Sequence, residues 1–261
     1  MNDRPIGVFD SGVGGLSSLK VLQQLLPEEN YVFFGDTGRM PYGDRSRSEL
    51  EKIAQSDVDF LRSFGVKAIL VACGTVSSNC LDKLREDNDV PLFGVIDPAV
   101  DKAVSCCENG KIGVIATRAT VKSGAFKKKI RALNPDLQVI SRSGPELAPM
   151  VESGHFDKDD PIVRKNLRKY LKDLKDVDTL ILGCTHYSLL KEAIRECFDH
   201  EVRLIDAAGE GAQAVAAYLR ENDCLAGKGS SAYYCSGECG FFEKKAKMFL
   251  GREIKVEKHV I

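Results

Sequence analysis

Short apolar runs alternate with longer amphipathic stretches along most of the chain. The clearest runs before residue 100 are residues 6–9, 31–34, 68–72 and 92–96. Each run is rich in β-branched or aromatic residues, and Gly, Pro, Asp or Asn flanks it. Between the runs, apolar side chains recur at helical spacing, as in residues 16–26 and 50–61. Near-continuous apolar strands alternating with amphipathic helices predict a parallel sheet with helices on both faces.

The same order of segments then occurs a second time. Ile-Gly-Val-Phe-Asp-Ser at 6–11 is similar to Ile-Gly-Val-Ile-Ala-Thr at 112–117. Ala-Ile-Leu-Val-Ala-Cys at 68–73 is similar to Thr-Leu-Ile-Leu-Gly-Cys at 179–184, and Val-Ile-Asp-Pro-Ala at 95–99 is similar to Leu-Ile-Asp-Ala-Ala at 204–208. One such pair could arise by chance, but three pairs in one order predict two related α/β units.

The repeat predicts an α/β fold of two pseudo-symmetric domains, each a mainly parallel sheet flanked by helices. We expect the first domain to comprise residues 1–97 plus 207–261 and the second to comprise 98–206. The tail is expected to supply a helix over 212–219 and a strand over 231–235 that pack back on the first domain. The active site is expected in the cleft between the domains, where the carboxyl ends of parallel strands meet helix N-termini.

Two cysteines occupy matched positions in the repeat. Cys73 and Cys184 each end a predicted strand and begin a predicted helix. Backbone N–H groups at a helix N-terminus stabilise a thiolate, so we expect a lowered pKa for both thiols. Across a cleft, such a pair could remove a proton from one face of a carbon atom and deliver one to the other face. The alternative is that each cysteine is a small buried residue at the end of a strand.

Polar residues that could assist the thiols lie nearby in the sequence. Asp10 ends the first strand and His186 follows Cys184 by two residues, so either side chain could accept or orient a thiol proton. Hydroxyl groups that could bind carboxylates together with helix N-terminal amides are those of Ser11, Thr75, Thr117, Thr120 and Thr185. A structural histidine and ordinary N-cap hydroxyls are the competing interpretations.

Charge and cysteine content exclude several classes of protein. The 261 residues include 37 Lys or Arg and 38 Asp or Glu, and this balance provides no dominant basic surface for nucleic acid. No apolar run approaches the about 18 residues of a membrane span, and the N-terminus lacks a signal-type segment, so a cytoplasmic protein is expected. Nine cysteines without a C-x2-C pair argue against a disulfide scaffold and against a structural metal site.

Two familiar motifs do not fit their usual context. The triplets at 10–12 and 36–38 resemble those of aspartic proteases, but both fall in the first half of an α/β pattern, whereas those proteases have one in each lobe of an all-β fold. The glycines at 12, 14 and 15 follow a strand, yet Ser17 stands where a dinucleotide loop has its third glycine. We expect these glycines to allow a close approach of substrate to the backbone.

Three longer motifs resemble the glutamate racemase family. They are Val-Phe-Asp-Ser-Gly-Val-Gly-Gly-Leu at 8–16, Gly-Asp-Thr-Gly-Arg-Met-Pro-Tyr-Gly at 35–43 and Gly-Cys-Thr-His-Tyr at 183–187, and the resemblance runs from about residue 5 to residue 250. It implies racemisation of glutamate by two thiols, without pyridoxal phosphate or metal, to supply D-glutamate for peptidoglycan.

The same resemblance assigns roles to individual residues. It implies that Cys73 and Cys184 are the two bases and that Glu152 is an acidic residue supporting the second thiol. It implies substrate contacts at Asp10, Ser11, Tyr42, Gly43, Thr75, Thr185 and His186. We expect Asp10 to assist Cys73 and His186 to assist Cys184. Glutamate is then the expected partner, and two-domain enzymes with an exposed cleft often form homodimers, although the sequence does not decide the oligomeric state.

Two positions depart from the family pattern. The family typically has Ala-Cys-Asn-Thr-Ala where this chain has Gly74 after the first cysteine, so only a backbone N–H remains for the substrate there. The loss of one polar contact to a charged group costs on the order of 1–3 kcal/mol. Ser188 replaces a proline of the pattern Thr-His-Tyr-Pro, whose main effect is on the start of a helix.

Other functions stay open at this stage. Gly74 is compatible with a racemase, isomerase or decarboxylase of the same superfamily that acts on another small amino acid or carboxylate. A non-catalytic binding protein derived from a racemase would be expected to have lost a thiol. A Cys–His hydrolase built on Cys184 and His186 would leave Cys73 without a role.

Overall fold

Two parallel β-sheets form the framework of the protein. The computed structural model describes residues 2–43, 45–225 and 228–260. Its strands are β1 (Ile6–Asp10), β2 (Asn30–Gly35), β3 (Ala68–Val71), β4 (Leu92–Gly94), β5 (Lys111–Ala116), β6 (Gln138–Ser143), β7 (Thr179–Leu182), β8 (Arg203–Asp206), β9 (Ser230–Cys235) and β10 (Glu257–Lys258). One sheet has the order β10-β9-β2-β1-β3-β4 and the other has the order β6-β5-β7-β8.

Helices connect the strands and cover the sheets. They are α1 (Leu16–Leu25), α2 (Arg47–Arg62), α3 (Gly74–Asn79), α4 (Leu81–Asp87), α5 (Ile96–Cys106), α6 (Arg118–Ser123), α7 (Ala125–Leu133), α8 (Leu147–Glu152), α9 (Pro161–Leu171), α10 (Lys191–Arg195), α11 (Ala207–Glu221) and α12 (Cys239–Leu250). Short 3-10 helices span Lys172–Leu174 and Thr185–Leu190. Adjacent strands within each sheet run parallel, as near-continuous apolar strands require.

The strand orders confirm the predicted α/β fold with two pseudo-symmetric sheets. The first sheet contains the order β2-β1-β3-β4 and the second repeats it as β6-β5-β7-β8. Two pairs of similar segments therefore occupy equivalent places, because β1 corresponds to β5 and β3 to β7. The third pair, 95–99 and 204–208, lies where β4 leads into α5 and where β8 leads into α11. The tail adds β9 beside β2 and β10 beyond it, at the edge of the first sheet.

Three predictions about local structure need correction. The run 92–96 is a strand only as far as Gly94, and Ile96 begins α5. Asp97 and Pro98 explain the difference, because an acidic residue and a proline both suit the first turn of a helix. Cys184 precedes a 3-10 helix instead of an α-helix. The tail also contains α12, which the sequence pattern did not predict and which begins after Glu238 caps it.

A continuous core joins the two sheets. Side chains from both sheets, such as Val8, Phe33, Val114 and Leu180, belong to one cluster of buried apolar residues. Helix α11 packs against α1 and α5 and contacts β3, β4 and β8, so it touches strands of both sheets. The predicted tail helix over 212–219 is the central part of α11, whose small residues let these neighbours approach closely. This packing holds the carboxyl ends of both sheets around one cavity.

Candidate active site

One cavity of about 460 Å³ lies at the carboxyl ends of strands from both sheets. All of the site residues predicted from the sequence line this cavity except Thr120. They are Asp10, Ser11, Tyr42, Gly43, Cys73, Gly74, Thr75, Thr117, Glu152, Cys184, Thr185 and His186. The sequence did not single out several other lining residues, which are Met40, Pro41, Arg118, Gly144, Pro145, Ala148, Pro149, Gly183 and Tyr187.

The first thiol is held in its neutral form by its surroundings. Cys73 follows β3, is 5% exposed and precedes α3, and its Sγ lies 3.7 Å from the Ser11 Oγ. Burial, and then the nearby charge of Asp10, raise the pKa of this thiol to about 12. The expected lowering by the helix N-terminus is therefore wrong for Cys73. Helix α3 spans six residues, and its N–H groups oppose burial only in part.

The second thiol faces a histidine. Cys184 Sγ lies 3.8 Å from Nδ1 of His186, and Nε2 of that ring lies 2.9 Å from Oε1 of Glu152. Burial alone would lower the pKa of His186, but the hydrogen bonds to Cys184 and Glu152 outweigh it and raise the pKa to about 10. The ring is therefore an imidazolium at neutral pH. The second sulfur therefore has a cation as its neighbour, whereas the charge that acts on Cys73 is that of Asp10.

A lysine from the tail extends this chain of contacts. Nζ of Lys245, on α12, lies 2.6 Å from Oε2 of Glu152. Burial would raise the pKa of Glu152, but the hydrogen bonds from His186 and Lys245 dominate and lower it to about 2. Charges of opposite sign therefore alternate behind Cys184, from His186 through Glu152 to Lys245. Lys245 could not be predicted from a local motif, because it lies 93 residues from its partner.

Asp10 lies between the two thiol sites. It is 1% exposed, and its Oδ2 accepts hydrogen bonds from the backbone N–H groups of Gly12 (3.3 Å) and Gly15 (3.0 Å). Burial raises the pKa of Asp10, while the charge of His186 and these N–H groups oppose the rise. The carboxyl group is thus close enough to influence both Cys73 and His186. A charged Asp10 disfavours ionisation of Cys73.

The two sheets meet closely at the edge of the cavity. A β-carbon on Gly14 would lie 2.3 Å from Oγ1 of Thr185 and 2.7 Å from the ring of His186. Ser17, on α1, donates a hydrogen bond of 3.1 Å to the carbonyl oxygen of Thr185. Gly14 therefore permits a close approach of the Thr185 and His186 side chains, whereas the sequence predicted an approach of substrate.

A row of threonine hydroxyl groups crosses the cleft. Oγ1 of Thr75, on α3, lies 3.0 Å from Oγ1 of Thr117, which lies 2.9 Å from Oγ1 of Thr120. Thr117 also caps α6. Thr120 is 1% exposed and stands behind Thr117, so it can orient the Thr117 hydroxyl without reaching the cavity. A substrate carboxylate could accept from Thr75 and Thr117 by replacing their mutual hydrogen bond.

Comparison with known proteins agrees with this arrangement. Residues 18–215 match the Asp/Glu/Hydantoin racemase family. The chain belongs to that family. It is 42% identical to the glutamate racemase of Thermoanaerobacter pseudethanolicus, over 100% of this chain and 98% of the relative.

Solved structures of this racemase family are similar along the whole chain. The glutamate racemase of Francisella tularensis in complex with D-glutamate has a TM-score of 0.91 and 35% identity, covering 99% of this chain and 98% of that one. The Thermus thermophilus enzyme in complex with beta-chloro-D-alanine has a TM-score of 0.90 and 41% identity, covering 100% and 99%. The resemblance to glutamate racemases is thus confirmed, as is the assignment to the isomerases.

The described part of the chain contains neither a metal-binding cluster nor a membrane-spanning helix. Within residues 2–43, 45–225 and 228–260, no group of three or more His, Cys, Asp or Glu side chains is arranged to hold a metal ion. In the same part of the chain, no helix has the length and apolar character needed to cross a membrane.

Proposed function

We propose that this chain is a cofactor-independent racemase that interconverts L- and D-glutamate by proton transfer between two cysteines. The observation that carries the proposal is that Cys73 and Cys184, at equivalent strand ends of the two sheets, line one cavity. Relatives named glutamate racemase support glutamate as the substrate, including one whose structure holds D-glutamate. The cavity volume of about 460 Å³ suits a small amino acid.

The contrasting environments of the thiols supply one acid and one base. The Cys184 thiolate, paired with the His186 imidazolium, takes the α-proton from one face of the substrate. The neutral Cys73 thiol delivers its own proton to the opposite face, so the configuration inverts and each sulfur changes its protonation state. After product release, Cys184 loses a proton to solvent and Cys73 gains one from solvent, which restores the starting form. The resting protein is therefore ready for the enantiomer whose α-hydrogen faces Cys184.

Polar groups around the cavity oppose the charge that develops on the substrate. Loss of the α-proton leaves negative charge that spreads onto the α-carboxylate. Backbone N–H groups of the segments that follow Cys73 and Cys184, with the hydroxyls of Thr75, Thr117 and Thr185, are suited to stabilise that charge. Tyr42 and Gly43, and Ser11 beside Cys73, form the remaining polar wall. Asp10 is proposed to assist Cys73 when that thiol regains its proton.

The biological role follows from the product. D-glutamate formed by this reaction is proposed to supply peptidoglycan synthesis in the cytoplasm. The family resemblance supports this assignment, and the chemistry in the cavity is independent of it.

Exchange of the α-hydrogen with solvent tests the chemistry. The protein is incubated in deuterium oxide with L-glutamate, D-glutamate or L-aspartate, and circular dichroism follows inversion while NMR follows deuterium incorporation. The parent should invert both glutamate enantiomers. Cys73→Ala and Cys184→Ala should each reduce inversion by about a thousandfold or more, because each removes one of two required proton carriers. Cys80→Ala is the matched control, because Cys80 is buried but does not line the cavity.

Each outcome has a separate meaning. Inversion at the parent rate by either cavity-cysteine variant would exclude the two-thiol scheme. Turnover of aspartate without turnover of glutamate would retain the scheme and reject the substrate. A single-cysteine variant that exchanges the α-hydrogen of one enantiomer without inverting it would support the assignment of one face to each sulfur.

A further inference from the structure

A buried group of polar side chains lies behind the wall of the cavity that Tyr42 forms. We call Asp36, Arg39, Tyr42 and Asp57 the Tyr42 cluster. Asp36 follows β2 and Asp57 lies on α2, and both are 0% exposed, while Tyr42 is 2% exposed. Asp36 belongs to a triplet that the aspartic-protease interpretation did not explain. The cluster therefore places two fully buried carboxyl groups directly behind a residue that lines the cavity.

Arg39 is the cation of the cluster and reaches both carboxyl groups. Its Nε donates to Oδ2 of Asp36 over 2.6 Å, and its Nη2 donates to Oδ1 of Asp57 over 2.5 Å. Ser236 donates to the other oxygen of Asp36 over 2.6 Å. Two carboxyl groups thus share one guanidinium. If both were ionised, an excess negative charge would stay buried, at a large cost in free energy.

The hydroxyl group of Tyr42 indicates that one of the two carboxyl groups carries a proton. Its Oη contacts Oδ2 of Asp36 at short range and lies 3.0 Å from Oδ2 of Asp57. A phenol has one proton to donate, so it can satisfy only one ionised carboxylate. If both carboxyl groups were ionised, no proton would lie between Oη of Tyr42 and Oδ2 of Asp57. The lone pairs of these two buried oxygens would then repel each other. A proton on one carboxyl oxygen removes that repulsion and the excess charge together.

We propose that Asp57 is a neutral carboxylic acid that donates its proton to Tyr42, which donates its own to the Asp36 carboxylate. The additional donor at Asp36, the hydroxyl of Ser236, assigns the charge to that residue. Among the described residues, the Asp57 side chain has hydrogen bonds to Arg39 and Tyr42 alone. Asp57 is then a positioning residue: it does not reach the cavity, but it fixes the ring of Tyr42 and with it the segment that leads to Gly43.

The electrostatic surroundings agree with this proton arrangement. Burial, and then the charge of Asp36, raise the pKa of Asp57 well above its usual range, although Arg39 and Tyr42 oppose the rise. The charged or titratable groups acting on Asp57 in the cluster are Asp36, Arg39 and Tyr42. Burial, and then Asp57 and Asp36, also raise the pKa of Tyr42, so the phenol keeps its proton. At neutral pH the two hydrogen bonds therefore run from Asp57 to Tyr42 and from Tyr42 to Asp36.

The position of Tyr42 connects the cluster to the chemistry of the cavity. Tyr42 and Gly43 line the cavity, and a negative charge on Cys73 would also raise the pKa of Tyr42, which places the phenol near the first thiol. The Tyr42 hydroxyl contacts one carboxyl oxygen of Asp36 and one of Asp57, and these contacts keep the ring in place when substrate binds. This consequence rests on the proposed racemase function, whereas the protonation of Asp57 does not depend on it.

Amide substitutions distinguish the neutral acid from the charged one. In Asp57→Asn the amide can still donate to Tyr42 and accept from Arg39, so we expect a KM for glutamate within about threefold of the parent. Asp36→Asn loses the charge that Arg39 and Tyr42 require, and Asp57→Leu loses the donor. For both of these variants we expect KM to rise about tenfold or more, with a smaller change in kcat.

Infrared spectroscopy of the substrate-free protein reads the proton directly. The parent at neutral pH should show the C=O stretching band of a protonated carboxyl group that is missing from Asp57→Asn. Subtraction of the two spectra isolates Asp57 from Asp10 and Glu210, whose pKa values are also raised by burial. Absence of the band, or equal tolerance of Asp36→Asn and Asp57→Asn, would overturn the proposal. Because the band is measured without turnover, it tests the protonation of Asp57 even if the parent does not racemise glutamate.

Discussion

Gly74 and the carbonyl oxygen of Gly183 approach so closely that a β-carbon on Gly74 would lie 2.4 Å from that oxygen. Gly74 follows the first thiol and Gly183 precedes the second, so this contact lies between the strand ends that carry them. The family pattern has an asparagine at position 74, and the sequence suggested only the loss of its amide. The structure adds a steric consequence, because the glycine lets the two halves of the cleft come closer than any side chain would allow.

Gly74→Ala is expected to slow racemisation because the backbone of Gly183 cannot yield as a flexible side chain could. The strand ends must separate by several tenths of an ångström, which alters the alignment of both sulfurs with the α-carbon. We expect kcat to fall about tenfold or more, since misplacement on this scale is costly in catalysis. Steady-state kinetics of the parent and Gly74→Ala measure this fall in kcat. Gly209→Ala is the control, because its β-carbon would meet Asp206 at an ordinary 3.8 Å.

Gly74→Asn separates the steric effect from the missing amide contact. It introduces the same clash as Gly74→Ala but adds an amide that can bind the substrate. We expect its KM for glutamate to be about tenfold lower than that of Gly74→Ala, in line with one regained polar contact to a charged group. Identical KM values in the two variants would mean that the amide has no role in this chain. Parent-like kinetics in both would show that the contact with Gly183 does not constrain the cleft.

The sequence was sufficient for features that depend on local pattern. The matched strand ends of Cys73 and Cys184 could be predicted because a strand followed by a helix is a short-range signal that occurs twice. The rise in the pKa of Cys73 could not be predicted, because it depends on burial and on Asp10, which another strand brings close. Lys245 also escaped prediction, since only the packing of the tail brings α12 to Glu152.

Lys245 and Glu152 are expected to be energetically coupled. Both side chains are largely buried, at 14% and 13% exposure. In a double-mutant cycle with Lys245→Met and Glu152→Gln, we expect a coupling free energy of about 1 kcal/mol or more from urea unfolding. Lys245→Met should also lower kcat more than it raises KM, because Glu152 holds the imidazolium beside Cys184.

A neighbouring ion pair is the matched control for this cycle. Lys247 and Glu253 lie 3.0 Å apart at the end of the same helix, but their side chains are 61% and 84% exposed. Their coupling is expected to be near zero because solvent screens the pair. Equal coupling for the two pairs would contradict the inference that burial makes Lys245 a specific partner of the second catalytic centre.

The stability that Glu152 provides is expected to depend on pH in the acid range. Its pKa is lowered in the folded protein to about 2 from an ordinary 4.5, because His186 and Lys245 stabilise the carboxylate. A lowered pKa means that the folded state favours the ionised form, so the contribution is fully present above the unfolded pKa and is lost as pH falls towards the folded one. Glu152→Gln should cost on the order of 2 to 3 kcal/mol near neutral pH.

Urea unfolding of the parent and Glu152→Gln at a series of pH values measures this contribution. The difference between their free energies of unfolding should be constant above about pH 5 and shrink steadily towards about pH 3. Glu253→Gln is the control: Glu253 is exposed and pairs with Lys247 outside the cavity, so its difference from the parent should stay small throughout. A Glu152→Gln difference that stays constant through the acid range would show that the carboxylate is not stabilised by His186 and Lys245, and the alternating chain of charges behind Cys184 would then be wrong.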